Sequence, residues 1–272
     1  MNYKLLVMDI DGTLLGKDGT ISAKDGEALA RARNLGIKVS LGTGRVPQAC
    51  SRIISRLSLD DYHIFFDGAL VSNPGNGEEV YVKPISEELV RQIVEFTHRN
   101  EIDINIDLYS ATHYFVERET WATDIRRQFF NIQPTIIDFA KYWSKERIIK
   151  GTLVVRSAEE KAKADSFCHK FKNSLSFSLT KTPAYPEVDF INVLAPDVSK
   201  GKALEALASF LGISLTEVIA IGDGVNDISI LSLAGLAVAM GNASDEVKAV
   251  ADHVTLDVDH NGAAVAINKF LL

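Results

Sequence analysis

Apolar positions along the chain fall into two textures. The first is a set of short unbroken apolar runs, Leu5 to Met8, Ile37 to Leu41, His63 to Phe66, Val218 to Ile221 and Leu236 to Met240, several of which stop at an acid or a glycine. Continuous runs bounded by turn residues read as strands buried on both faces, as in a parallel sheet. Helical spacing fills the gaps between them. Ser22-Ala23-Lys24-Asp25 has the spacing of a capping box with Asp in place of Glu, Ala28, Ala32 and Leu35 recur at helical intervals, and Gly36 supplies a stop. Pro47 opens a second helix that runs to Leu57, because proline is favoured in the first turn. Strand, helix, strand, helix, strand predicts a right-handed parallel α/β sheet. His253 to Thr255 reads as a short edge strand and Ala263 to Leu271 as a closing helix.

The second texture begins after the turn-rich Asn73-Pro74-Gly75-Asn76-Gly77. A helix over Ser86–His98 precedes Ile102 to Leu108, whose period of two predicts a strand with one wet face. Tyr114–Val116 and Leu153–Val155 read as further strands and Ala158–Phe171 as a helix, with Thr182-Pro183-Ala184-Tyr185-Pro186 as the close. From 187 the first texture returns: Phe190 to Leu194 as a strand, then a helix from Ser199, its candidate N-cap, to about Leu211. The expected architecture is therefore a Rossmann-like α/β core in two pieces, 1–81 and 187–272, with an inserted α+β domain over 82–186.

Composition narrows the function. The 272 residues are 46% hydrophobic and 24% charged, ordinary for a globular protein with a core, and the net charge of −7 argues against nucleic acid or an anionic membrane as the main partner. Cys50 and Cys168 show no metal-ligand spacing and read as core or boundary thiols, and the six histidines show none either. His63 and His253, at strand starts, read as structural, whereas His113 is a candidate substrate contact and Tyr109 and Tyr114 equally fit ordinary strand positions. The leading apolar run is too short for a signal peptide and no stretch approaches a membrane span, so a cytoplasmic enzyme is expected.

Polar clusters sit at three strand ends: Asp9 and Asp11, Thr43-Gly44-Arg45, and Asp223, Asn226 and Asp227. In isolation Asp11-Gly12 also fits a hairpin turn between Leu5–Met8 and Leu14-Leu15, and Lys200 fits a solvated surface cation. If the strands lie parallel and side by side, however, the clusters meet at one sheet edge, where α/β folds bind ligands. Carboxylates gathered there suit Mg²⁺, a hard cation that takes oxygen ligands. A hydroxyl, glycine-rich N–H groups, a Lys and an Asn suit phosphate oxygens. A carboxylate beside the metal can attack phosphorus, and a second two residues on can move protons.

Asp9-Ile10-Asp11-Gly12-Thr13-Leu14, Thr43-Gly44-Arg45, Ser199-Lys200-Gly201 and Gly222-Asp223-Gly224-Val225-Asn226-Asp227 resemble the four motifs of the haloacid dehalogenase (HAD) superfamily. The insert after the third strand, and Ala239-Met240-Gly241-Asn242-Ala243, resemble its Cof-type sugar-phosphatase branch. The resemblance implies an Mg²⁺-dependent phosphatase of small phosphorylated metabolites, with a HAD core and a mobile α+β cap. It implies Asp9 as nucleophile and Asp11 as general acid/base. Asp9, the backbone carbonyl of Asp11 and Asp223 would hold the metal with Asp227 in support, and Thr43, Gly44, Lys200 and Asn226 would bind the phosphoryl group. Arg45, Asp67 and Asn242 are candidate substrate contacts. Asp67 is a departure, standing before Gly68-Ala69 where relatives commonly have Asn, so an extra negative charge is expected near the site. A phosphomutase sharing the intermediate, and a non-catalytic phosphosugar-binding regulator, are the alternatives; the general acid Asp11 speaks against the second.

Overall fold

The computed structural model describes residues 3–16, 19–99, 102, 104–142, 146–182 and 185–272. Asp103 of the expected alternating strand and Pro183-Ala184 of the expected closing turn lie outside them. The chain divides into two compact units: Met1–Arg45, Cys50–Tyr81 and Ser199–Leu272 form the first, and Val46–Ala49 with Val82–Val198 the second.

In the first unit the strands are β1 (Leu5–Met8), β2 (Lys38–Leu41), β3 (His63–Phe65), β4 (Leu70–Asn73) and β5 (Glu78–Val82, whose last residue begins the second unit). In the second they are β6 (Ile106–Tyr109), β7 (Tyr114–Val116), β8 (Thr135–Ile136), β9 (Lys150–Val155), β10 (Ser176–Thr182) and β11 (Tyr185–Leu194). The first unit resumes with β12 (Val218–Gly222), β13 (Leu236–Ala239) and β14 (His253–Val254).

Among the described residues, β14-β13-β12-β1-β2 form a parallel sheet in which Leu5 lies opposite Val218 on one side and Lys38 on the other. Every residue of β1 and β12 is buried, as the unbroken apolar runs predict. Leu5, Val7, Ala220, Leu204, Leu207 and Ile230 belong to one core cluster, which fixes the sheet against the helix Lys200–Leu211. The helix Ala23–Asn34 begins as expected, with the Ser22 hydroxyl accepting from the Asp25 amide at 3.0 Å. Only half of the capping box forms. The buried Asp25 carboxylate accepts instead from the Ala264 amide at 2.7 Å, and so serves the first turns of two helices.

The third strand departs from expectation. A parallel bridge joins Gly42 to Ile64, and the Thr43 amide donates to the Ile64 carbonyl at 2.9 Å, but β3 pairs antiparallel with β4. The cause is a sharp reversal: Phe66, Asp67 and Gly68 all adopt positive φ, at 53°, 55° and 102°, and send the chain back along β3.

The second unit is built on a sheet ordered β10-β11-β9-β6-β7-β8. Helices Glu87–Thr97 and Ala158–Phe171 match their expected spans, each with a serine N-cap, and Ile93 and Phe167 share a core with Leu108 and Leu153. Two expectations are corrected. The strand read as half wet is buried along all of β6, because Asp107 is covered and paired with Arg126. The run Phe190 to Leu194 was expected to restart the core from 187. It lies instead in β11, between β9 and β10, with Phe190 opposite Val154, so the first unit resumes at Ser199. An apolar run specifies a buried strand but not which sheet receives it. No helix among the described residues is long and apolar enough to cross a membrane.

Candidate active site

The loops that follow β1, β2 and β12 meet at the carboxyl ends of those strands, and the start of the helix Lys200–Leu211 joins them. β1 delivers Asp9, whose amide donates to the Ile221 carbonyl at 3.0 Å. The turn that follows is not a hairpin. The amides of Leu14 and Leu15 both donate to the Ile10 carbonyl, and Gly12 carries φ +85°. A Cβ on Gly12 would lie 2.2 Å from the Asp223 carboxylate, so no other residue fits this close approach. Gly68 is similarly constrained: a Cβ there would lie 2.1 Å from the Ser199 carbonyl, and this contact seats the start of the helix that carries Lys200.

Lys200 is the residue whose bland reading fails. Its side chain is fully buried, and its ammonium donates to Asp9 Oδ1 at 2.8 Å and to Asp227 Oδ1 at 2.5 Å. Burial works to lower the Lys200 pKa, but Asp227 and Asp9, with Asp67 adding, outweigh it and push it upward. The other Asp227 oxygen accepts from the amides of Asp223 and Gly224 at 3.0 and 2.9 Å. Asp223 is held by the Thr13 hydroxyl, which donates to Oδ1 at 2.9 Å, and by the Asn242 amide, 3.2 Å from Oδ2.

Asp9, Asp223 and Asp227 each place a carboxylate oxygen within 4.8 Å of the others. Burial raises the Asp9 carboxyl well above the usual carboxylate range; Lys200 opposes this, while Asp227, Asp223 and Asp11 reinforce it. Burial and Asp227 likewise push Asp223 up to about 7. Three acids thus face one ammonium. The residual negative charge and the all-oxygen donor set fit a hard divalent cation such as Mg²⁺.

The remaining expected residues divide. Thr43 is buried; its hydroxyl accepts from the Arg45 amide at 3.1 Å and its carbonyl from the Asp67 amide at 3.0 Å. A Cβ on Gly44 would meet Asp67 Oδ1 at 2.7 Å. The Asn226 side-chain amide donates to that same oxygen at 2.9 Å, which brings Asp67 into the cluster. Asp11 points to solvent, its side chain 53% exposed, and is gripped by the Arg45 guanidinium. Asn242, expected against substrate, bridges protein loops instead. Its amide donates to the Gly12 carbonyl at 2.9 Å as well as to Asp223, and its oxygen accepts from the Val258 amide at 3.0 Å.

Two positioning residues were not singled out from sequence. Thr13 lies inside the first motif, and its fixed distance from Asp11 was the available signal. His63, read simply as structural, ties the strand ends: its Nδ1 accepts from the Leu41 amide at 3.2 Å, just before the Thr43 loop.

Residues 6–267 match the model of the haloacid dehalogenase-like hydrolases, and the chain belongs to that family. It is 29% identical to Phosphatase YwpJ of Bacillus subtilis, over 98% of this chain and 100% of that protein. Its fold matches a crystal structure of a haloacid dehalogenase-like hydrolase from Bacteroides thetaiotaomicron, with a TM-score of 0.84 and 26% identity over 98% and 99% of the two chains. It also matches the structure of BT4131, described as a HAD subclass IIB sugar phosphatase, with a TM-score of 0.78 and 28% identity over 98% of each chain.

Proposed function

We propose that this hydrolase cleaves small phosphate monoesters, sugar phosphates foremost, through an aspartyl-phosphate on Asp9 with Mg²⁺ as cofactor. Its class, phosphoric monoester hydrolase, rests on the family and on full-length relatives named as phosphatases. The preference for sugar phosphates is carried over from the relative described as a sugar phosphatase. The observation that carries the chemistry is the buried Lys200 ammonium spanning Asp9 and Asp227 beside Asp223. A nucleophilic carboxylate approaching a phosphate dianion is repelled unless cations face both, and Lys200 supplies one of them.

In the first half-reaction an Asp9 oxygen attacks phosphorus, the bond from phosphorus to the leaving oxygen breaks, and Asp11 gives that oxygen a proton. In the second, water attacks the phosphoryl group, Asp11 takes its proton, and the bond to Asp9 breaks to release inorganic phosphate. Thr43, the Gly44 N–H, Lys200 and Asn226 are assigned to the phosphoryl oxygens. Asp9, Asp223 and the Asp11 main-chain carbonyl would hold Mg²⁺, with Asp227 in support; bound there, it supplies positive charge against phosphate and nucleophile. The reading includes a cytoplasmic setting, which the free thiols Cys50 and Cys168 suit.

Asp9→Asn tests the assignment. Mg²⁺-dependent release of inorganic phosphate from p-nitrophenyl phosphate should fall by ~10³-fold or more, with circular dichroism unchanged. Retained activity would remove Asp9 as nucleophile. A panel of sugar phosphates, nucleotides and acyl phosphates, read by free phosphate, tests the substrate class, and a product isomer without phosphate release would identify a mutase.

A further inference from the structure

The ion pair between Arg45 and Asp11 joins a buried arm to an exposed hand. The Arg45 side chain is 11% exposed and that of Asp11 53%. The Arg45 backbone is held on both sides, its amide by the Thr43 hydroxyl at 3.1 Å and its carbonyl by the Phe66 amide at 3.1 Å. From that fixed base the guanidinium reaches Asp11 with two parallel hydrogen bonds, Nε to Oδ2 at 2.7 Å and Nη2 to Oδ1 at 2.5 Å. Asp11 lies just beyond the end of β1, bridged through its backbone to Leu15, while its side chain is more than half exposed.

Because the pairing is bidentate and the Arg45 side chain is only 11% exposed, the pair can add to stability, but stability is not all that this geometry provides. What a fork-on-fork pair also supplies is orientation. Both carboxylate oxygens are fixed in the plane of the guanidinium, which a lysine, as a point charge, cannot reproduce. The two guanidinium donors that face the reaction's proton carrier are thereby spent on it.

We infer that Arg45 is a positioning residue of the reaction: it fixes the Asp11 carboxylate in the orientation from which it accepts the proton of the attacking water. The inference rests on the proposed function, which makes Asp11 the acid and base. In the step concerned, the water oxygen bonds to phosphorus, its proton passes to an Asp11 oxygen, and the bond between phosphorus and Asp9 breaks with its electron pair returning to the Asp9 carboxylate. Loss of Arg45 therefore slows hydrolysis of the aspartyl-phosphate more than its formation, above all where the leaving group needs no proton, as with p-nitrophenolate. This differs from a substrate contact, the role that the motif alone suggests for Arg45.

Stopped-flow assay of wild type, Arg45→Gln, Arg45→Lys and Asp11→Asn with p-nitrophenyl phosphate and Mg²⁺ decides between them. Arg45→Gln should show a burst of p-nitrophenol of about one per active site, followed by a steady state lowered by ~10-fold or more, with KM not raised. Its kcat should become the same for p-nitrophenyl phosphate and for a sugar phosphate, since both then share the slow step. Arg45→Lys should not restore the rate, and Arg45→Gln added to Asp11→Asn should cost nothing further. A raised KM with unchanged kcat and no burst would return Arg45 to substrate binding and overturn the inference, as would additive effects in the double variant. Absence of turnover in wild type on any monoester would instead overturn the proposed function, and the inference with it.

Discussion

Each unit buries a carboxylate against a cation, and the two are built to opposite ends. In the second unit Asp107 meets Arg126 at 3.3 Å, the Tyr109 hydroxyl donates to the same Asp107 oxygen, and the guanidinium lies 4.8 Å from the Phe190 ring centre. One charge faces one charge, walled by aromatic rings that favour a cation on their faces. In the first unit the Lys200 ammonium faces Asp9 and Asp227 with Asp223 close by, so negative charge is left over. Burial raises the carboxyl pKa in both places, and in both a cation opposes the shift. The balanced cluster carries no surplus charge. The unbalanced one is complete only with added positive charge or with a charge that moves, which is what a reaction centre needs.

Removing the cation from each cluster gives the largest expected effects and separates the two. Arg126→Ala leaves Asp107 buried without its partner and should destabilise the second unit by about 3–5 kcal/mol, read by urea unfolding. Lys200→Ala should lower kcat/KM by ~10²-fold or more, and any loss of stability should be partly recovered by Mg²⁺. Wild-type stability in Arg126→Ala, or unchanged turnover in Lys200→Ala, would collapse the distinction.

His63 offers a third way to bury a titratable group, as a neutral one. It is fully buried between the Leu41 amide and the Leu59 carbonyl, and burial lowers its pKa from 6.5 to about 4. The unfolded chain then binds more protons than the folded one between those values. Its contribution is intact above pH 6.5 and is lost as the pH falls towards 4, by about 3 kcal/mol across the window. The loss should appear as an acid-side fall in unfolding free energy that is smaller in His63→Gln. Equal slopes in the two proteins would refute it.

Metal gives the smallest shift. Mg²⁺ at a hundred times its dissociation constant should stabilise the wild-type protein by about 2.7 kcal/mol, measured as a rise in Tm. Asp223→Asn should abolish the rise. Asn242→Ala, which frees Asp223 from one of its two side-chain donors, should move it to higher Mg²⁺ concentration.

How much of this was visible in the residues depends on what each signal encodes. Asp9, Thr43, Lys200, Asp223 and Asp227 were legible because their motifs follow buried runs or a capping serine, features that place a loop at a sheet edge. The sheet that would receive Phe190 to Leu194 was not legible, because its pattern satisfies either unit and only pairing with Val154 and Leu153 decides. Asp107 was read as wet because alternation reports polarity, whereas its partner Arg126 comes from a segment nineteen residues on. Asn242 was recognised by its motif, but its three bonds, to Gly12, Asp223 and Val258, depend on the distance between loops far apart in sequence.

The strand order has a consequence in time as well as in space. β1 lies between β12 and β2, so residues 5–8 find one of their two neighbours only at residues 218–221. At ~5–20 residues per second of synthesis, that neighbour arrives on the order of ten to forty seconds later. For most of that interval Asp9 exists without Lys200, and by its end the contiguous stretch 82–198 has all the strands of its sheet among the described residues in hand, before β12 is made. On the ribosome the insert is therefore expected to be the first unit finished, and Asp9, though among the first residues made, acquires its cation late.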